Sequence, residues 1–334
     1  MWQAASTGAE TLLRNGARAW SGPRSYHSEG LMGITTIVSS GVSSGVSSGL
    51  RHALAAATLL AAPLATLAGA AQAEPHLMYL PGHAPRGKPA ASTMLYYGGP
   101  VFSKVKVISV IWGSKVNSQV VSGIGGFYTA ATNSTWFDIM AQYATDLTGV
   151  NGHKGTNQTI SRGTYVGQVV IAPHNTKTAL TDKAVQKELL YQIKAGILPA
   201  PDANTLYMTY FPANITIKLG QAVSCSSFGA YHEGFMNAAY GGVTYGVMPD
   251  CGFTFADFTV VSSHELAEAT TDNFPTPGSK PKYPQAWNTS DGYEIGDLCE
   301  GSDGTLAAGK TKYTVQQIFS NTTNACSTGN YTSP

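Results

Sequence analysis

The sequence predicts a mixed α/β fold: a central sheet flanked by helices, followed by an irregular, β-containing C-terminal part pinned by disulfides. Three observations carry this. Short β-branched runs alternate with amphipathic stretches between residues 105 and 211, the pattern of a sheet with helices laid on it. From Gln221 to Phe255 the texture shifts to Gly, Ser, Tyr and Cys. The four cysteines, Cys225, Cys251, Cys299 and Cys326, all lie in the later part, an even number that suits two disulfides in an exported chain.

The elements follow in order. Val105 to Trp112, VKVISVIW, is β-branched and ends at Gly113, a strand with a stop. Helical stretches are expected over Ser118–Ala130 and Ser134–Ala144. In the second, Trp136, Ile139, Met140 and Tyr143 fall on one face at i, i+3, i+4, i+7, a core-packing stripe. Tyr165–Ala172, YVGQVVIA, reads as a second buried strand. Thr181–Ala195 reads as a helix capped by Thr181, with Val185, Leu189, Leu190 and Ile193 as its apolar stripe and Gly196 as its stop. Leu206–Phe211, LYMTYF, is a third strand, ended by Pro212. Short strands such as Gly242–Met248 are expected in the Gly/Ser/Tyr region. Asp257 can then cap a helix from Phe258 to about Thr271, apolar on most sides and so buried.

The first residues stand apart. Val38 to Leu50, VSSGVSSGVSSGL, has nothing to bury and predicts disorder. Arg51 and His52 precede an apolar run, Ala53 to Ala70, that closes on Ala71-Gln72-Ala73. This reads as a signal peptide with cleavage after Ala73, the competing reading being an uncleaved anchor. The organisation expected is a leader over residues 1–73, an extended Pro/Gly/Ala lead-in over 74–93 and one domain over 94–334. It implies an extracellular or periplasmic protein, not inserted in a membrane once cleaved. A net charge of +1 and the lack of a dense Lys/Arg run argue against nucleic acid as a partner. Oligomeric state leaves no mark in the sequence.

Four cysteines allow three pairings. Sequential pairing, Cys225–Cys251 and Cys299–Cys326, is preferred, each loop stabilising by about 3.5 kcal/mol in the chain-entropy model. A metal cluster would call for a C-x-x-C spacing that the chain lacks.

The chemistry centres on Ser262–Asp272, SSHELAEATTD. His264 and Glu268 are four apart and share one helix face, the spacing a metal needs from two ligands. Glu265 stands where zinc proteases keep the general base. Downstream, YEIGDLC offers Glu294 and Asp297, three apart, as alternative third ligands, followed at once by Cys299. On a solvated helix such a string is a polar face and nothing more. On a buried helix the three groups need partners, from a metal or from a base. His232, in AYHEGF, is a loop histidine that would serve as a substrate-side donor or an extra ligand. Tyr231, Tyr240 and Tyr245 either line a cleft or pack. His76, His153 and His174 read as solvated.

HELAEATTD resembles the active-site helix of thermolysin-like gluzincins, H-E-L-T-H-A-V-T-D, and YEIGD resembles a shortened form of their later ligand segment. That resemblance implies a zincin-like sheet, with His264 the first ligand, Glu268 in the place of the second histidine, Glu294 the third ligand, Glu265 the base, and Asp272 an acceptor orienting a ligand. The segments YGGPV, SHELAEA, AW…EIGDLCEG and Y.VQ..FSN….C resemble, over residues 96–326, the phosphate-induced/EXORDIUM family of secreted, wall-associated proteins. The expected function is a secreted, metal-dependent hydrolase of peptide bonds, with a divalent ion, zinc first, as cofactor and a peptide or cell-wall partner. The alternative is a non-catalytic, EXORDIUM-like extracellular protein using the same pocket for structure or binding. A His/Glu/Glu shell shifts preference toward harder ions such as manganese or calcium. A glycosidase using Glu265 and Glu294 is a third class, without a sugar subsite to mark it.

Overall fold

A six-stranded mixed sheet forms the centre of the fold. The computed structural model describes residues 77–80, 93–275 and 280–329, all within one compact unit, Leu67–Pro334. The expected leader, its Ser/Gly repeat, most of the lead-in, and His76 lie outside the described residues. The strands are β1 (Leu77–Met78), β2 (Lys106–Trp112), β3 (Thr164–Ile171), β4 (Thr205–Tyr210), β5 (Ala230–Asn237) and β6 (Gly241–Met248). Their order is β1-β5-β6-β4-β2-β3. β3, β2, β4 and β6 run parallel, while β5 is antiparallel to both β6 and β1. Four α-helices are described: α1 (Ser118–Ala131), α2 (Thr135–Asp138), α3 (Asp182–Lys194) and α4 (Phe255–Thr271). Not one helix among the described residues is long and apolar enough to cross a membrane.

Several expectations need correction. The helix expected over 134–144 stops at Asp138 and tightens into a 3₁₀ turn, Ile139–Gln142. Tyr143 leaves that turn to donate its hydroxyl to Phe319 O at 2.8 Å, so tertiary contacts override the helical period. Its stripe of Trp136, Ile139, Met140 and Tyr143 is nevertheless buried. β3 is not a fully buried strand. It is the sheet edge, and Val166 and Val170 point to solvent. Thr181 occupies the N-cap of α3 without a side-chain capping bond.

The Gly/Ser/Tyr region is more regular than expected. Its β5–β6 hairpin joins the central sheet, because β6 pairs in parallel with β4 over Thr244–Met248. His232 therefore sits on a strand, not in a loop. The cap of α4 is also shifted: Thr254 accepts from Asp257 N at 3.3 Å and Asp257 accepts from Thr254 N at 2.8 Å. This reciprocal capping box satisfies the first orphan donors of the helix.

Every residue of α4 from Phe258 to Thr271 is buried. The helix packs against α1, β5, β6 and the strand Thr311–Gln316. Hydroxyls of Tyr128, Tyr210 and Ser262 form a buried chain, each step 2.7 Å, that links α1, β4 and α4. Thr259 Oγ1 donates to Thr314 O, and Gln316 N donates to Ser263 Oγ at 2.9 Å. These bonds fix the rotation of α4. The polar side of the helix thereby faces β5 and the segment after Asn288.

Both disulfides follow the sequential pairing. Cys225–Cys251 ties the start of the hairpin region to the lead-in of α4. Cys299–Cys326 anchors the end of the segment that carries Glu294 and Asp297.

Candidate metal centre

Helix α4 contributes His264, Glu265 and Glu268, all at 0% exposure. β5 contributes His232 and the loop before Cys299 contributes Glu294, also at 0%. Asp297 begins a short 3₁₀ turn, Asp297–Cys299, with its side chain at 5%. All six candidate residues therefore converge.

They do not converge as one triad. His264, Glu268 and Asp297 form one group, and His232, Glu268 and Glu294 form a second. Within each, one donor atom per residue lies within 4.8 Å of the others. The combination His264/Glu268/Glu294 is thus replaced by two triads that share Glu268. The reason is local: YEIGD does not turn as a helix. Glu294 N donates to Asp297 Oδ2 at 2.8 Å and the 3₁₀ turn starts only at Asp297. The two carboxylates then meet different rings, Asp297 facing His264 and Glu294 facing His232.

Each imidazole is held in a defined state. Gln316 Nε2 donates to Gly296 O at 2.7 Å, which turns Gln316 Oε1 toward His264 Nδ1 at 3.0 Å. An amide oxygen only accepts, so Nδ1 carries a proton. Nε2 then faces Glu268 Oε1 at 3.0 Å and Asp297 Oδ1 at 3.9 Å, as an ion pair when the ring is protonated and as a ligand atom when a cation takes the proton's place. The 3.0 Å approach lacks hydrogen-bond alignment, and Nε2 has no hydrogen-bond partner. Metal-bound histidines are oriented in this way, by an outer partner on the other ring nitrogen.

His232 is fixed from the opposite side. Its Nε2 donates to the main-chain carbonyl of Asp272 at 3.0 Å, and Nδ1 faces Glu265 Oε2 at 3.3 Å and Glu268 Oε2 at 3.7 Å. The role expected for Asp272 falls to its carbonyl. Its carboxylate instead accepts from Asn288 Nδ2 at 2.6 Å and Phe274 N at 3.2 Å.

The electrostatics are extreme. Burial pushes the Glu294 and Asp297 carboxyls well above the usual range, and the neighbouring Glu268 charge adds to both. Burial likewise raises Glu265, against the pull of His232, and raises Asp272 to about 7. Burial pulls His264 down, but Glu268, Glu265 and Asp297 outweigh it and hold the ring well above its ordinary value. Two like charges 4 Å apart repel by about 4 kcal/mol at an effective dielectric of 20. The Lys and Arg ion pairs described, Lys106–Asp202 and Arg162–Asp138, are on the outer surface. A divalent cation among these carboxylates relieves the repulsion; otherwise protons must.

Gly296 packs directly against His264 and Glu268 and leaves no room for a side chain there. A Cβ there would lie 2.7 Å from His264 Nδ1 and 2.8 Å from Glu268 Oε1. The donor types and their mutual closeness, with Glu265 Oε1 buried and lacking a hydrogen-bond partner beside them, fit a divalent ion. Comparison of the chain with protein-family models, curated proteins and solved structures returned no match.

Gln316 and Gly296 escaped motif reasoning. Both lie within segments quoted for the wider resemblance, VQ and EIGD, but no spacing rule marks an outer-shell amide or a missing Cβ. Tyr231 and Tyr245 do not line a cleft: both are buried and donate to Asp182. Tyr240 lines a cavity of about 650 Å³ with Phe102, Met236, Asn273 and Phe274. His153 and His174 are exposed, against Tyr283 and Tyr191.

Proposed function

We propose that this chain is a secreted, metal-dependent hydrolase of zincin-like construction, acting on peptide bonds. The observation that carries the reading is the meeting of His264 and Glu268, one turn apart on buried α4, with Asp297 from a separate segment. Support comes from the mixed sheet beside α4 and from the adjoining Glu265. The two disulfides fit an oxidising, extracellular setting.

His264, Glu268 and Asp297 would hold the ion, zinc or, given two carboxylates, manganese. A bound divalent cation supplies Lewis-acid polarisation of a carbonyl. Glu265 supplies the proton acceptor. One oxygen faces His232 Nδ1 at 3.3 Å, and the other, Oε1, has no hydrogen-bond partner. Burial raises the proton affinity of Glu265 above that of an ordinary carboxylate, which makes it a stronger proton acceptor. The apolar cavity bounded by Asn273 and Phe274, directly after Asp272, offers a place for an apolar side chain of a substrate.

A second reading has one observation in its favour. Glu265, His264 and Glu294 are all at 0% exposure, and a general base must come within about 3 Å of the group it deprotonates. On that reading the protein is a non-catalytic, EXORDIUM-like extracellular protein whose metal clamps α4 to β5 and to the Cys299 segment.

Elemental analysis of the purified protein, wild type beside His264→Ala, tests the metal. Near-zero metal in both ends the hydrolase reading. Peptidase assays of Glu265→Gln then separate the two classes: an enzyme keeps its metal and loses turnover. A wild type that binds metal and cleaves no peptide substrate supports the clamp.

A further inference from the structure

We infer that the centre holds two divalent cations bridged by the Glu268 carboxylate, one on His264 and Asp297, the other on His232 and Glu294. The inference rests on the metal-binding reading above and extends it to a second ion, which neither motif spacing nor the single-metal hydrolase scheme calls for.

The geometry points to a bridge. Glu268 Oε1 approaches His264 Nε2 at 3.0 Å, whereas Glu268 Oε2 approaches His232 Nδ1 at 3.7 Å. One carboxylate thus addresses two imidazoles with different oxygens. Asp297 Oδ1 lies 3.9 Å from His264 Nε2; Glu294 Oε1 lies 3.6 Å from His232 Nε2, on the side of the ring bonded to the Asp272 carbonyl, and joins His232 and Glu268 in a group whose donor atoms lie within 4.8 Å of one another. Donors around a tetrahedral ion with bonds near 2.1 Å stand about 3.4 Å apart. The 3.0 and 3.9 Å edges of the first triad bracket this value, and the 3.7 Å edge between His232 Nδ1 and Glu268 Oε2 in the second is close to it. Ions in two-metal sites sit roughly 3.5–4 Å apart, a distance a single carboxylate spans.

Both imidazoles are prepared as ligands by the same device. Gln316 Oε1 accepts a hydrogen bond from His264 Nδ1, and the Asp272 carbonyl accepts one from His232 Nε2. The remaining nitrogens face carboxylate oxygens, His264 Nε2 toward Glu268 Oε1 at 3.0 Å and His232 Nδ1 toward Glu265 Oε2 at 3.3 Å and Glu268 Oε2 at 3.7 Å, positions where a cation would replace a proton. A ring kept only for packing would not call for a backbone carbonyl and a side-chain amide aimed in this complementary way.

Charge favours two ions over one. Glu265, Glu268, Glu294 and Asp297 are four buried carboxylates with the two rings between them. One divalent ion among four carboxylates leaves two negative charges; two ions leave none. Glu265, 3.3 Å from His232 Nδ1 and with Oε1 lacking a hydrogen-bond partner, stands as a further donor or base at the second ion.

The test is the metal stoichiometry of the full disulfide-bonded protein after equilibration with zinc and, separately, manganese, followed by desalting and elemental analysis. Two ions per chain are expected, falling to one in His232→Ala and in Glu294→Gln. The manganese form should give an exchange-coupled pair in its electron paramagnetic resonance spectrum, replaced by an isolated-ion spectrum in either variant. One ion per chain in the wild type overturns the bridged pair and leaves the hydrolase reading standing. No ion overturns both. Two uncoupled manganese ions overturn the bridge. The wild-type count and spectrum need no variant, so a misfolded substitution cannot shield the inference.

Discussion

Replacing Gly296 by alanine adds one methyl group at the tightest point of the centre. The backbone permits it, since Gly296 has φ −77°, a conformation any residue adopts. The cost is therefore purely steric. The new Cβ would sit 2.7 Å from His264 Nδ1, 2.8 Å from Glu268 Oε1 and 2.9 Å from His264 Cε1. Ordinary carbon contacts begin near 3.5 Å, so the neighbours must retreat by roughly 0.6–0.8 Å. Neither moves freely. His264 is held by Gln316, and Glu268 Oε1 accepts from Asp297 N at 3.1 Å. Overpacking of this kind costs about 1–3 kcal/mol. For a domain this size that is a fall in melting temperature of roughly 2–12 °C. Displacing a ligand from its oriented position should also weaken the metal about 10–100-fold. Calorimetric titration with zinc and thermal unfolding with and without metal measure both effects. A Gly296→Ala protein with wild-type affinity and melting temperature would show that no cation lies between His264 and Glu268.

Other perturbations follow from the same contacts. Gln316→Leu removes the acceptor that fixes His264 and should lower metal affinity about 10–100-fold, read by competition with a chelating dye. Removing either disulfide should cost about 3.5 kcal/mol by loop entropy. Loss of Cys299–Cys326 should weaken metal binding more than loss of Cys225–Cys251, because Asp297 lies two residues before Cys299; equal effects in a paired titration would contradict this. Burial raises the Asp182 carboxyl above its ordinary value despite hydrogen bonds from Tyr245, Tyr231 and Gln186. Its folded value exceeds its unfolded one, so its contribution to stability is full at low pH and is lost as pH rises through the folded value. Asp182→Asn should flatten that part of the pH profile in denaturant titrations from the ordinary carboxylate range upward.

Much of the fold was legible from local pattern. The β-branched run at Val107–Trp112, the stripe Val185/Leu189/Ile193 and the apolar surround of His264 each record burial at short range, where periodicity speaks. Pairings of the disulfides followed from proximity in sequence. What stayed hidden depends on distant partners. His232 reads as a loop residue because Gly229 and Gly234 flank it, yet β6 recruits the segment into the sheet. Nothing in YEIGD says whether Glu294 and Asp297 turn to the same side, because that is decided by a hydrogen bond between them. Gln316 reaches the centre from a hairpin 52 residues beyond His264. Motif spacing therefore singled out most of the candidate residues, and tertiary contacts decided how they are grouped.

The short strand β1 has a consequence for how the protein can be handled. Leu77 and Met78 lie against Tyr231 and Ala230, and Tyr79 N donates to Glu300 Oε1 at 2.6 Å. This strand and the residue after it are thus stitched both to the residue before His232 and to the residue after Cys299. Affinity tags or trimming near residue 77 would tug on the ionic heart of the molecule itself, so a preparation shortened there is a different protein from one left whole.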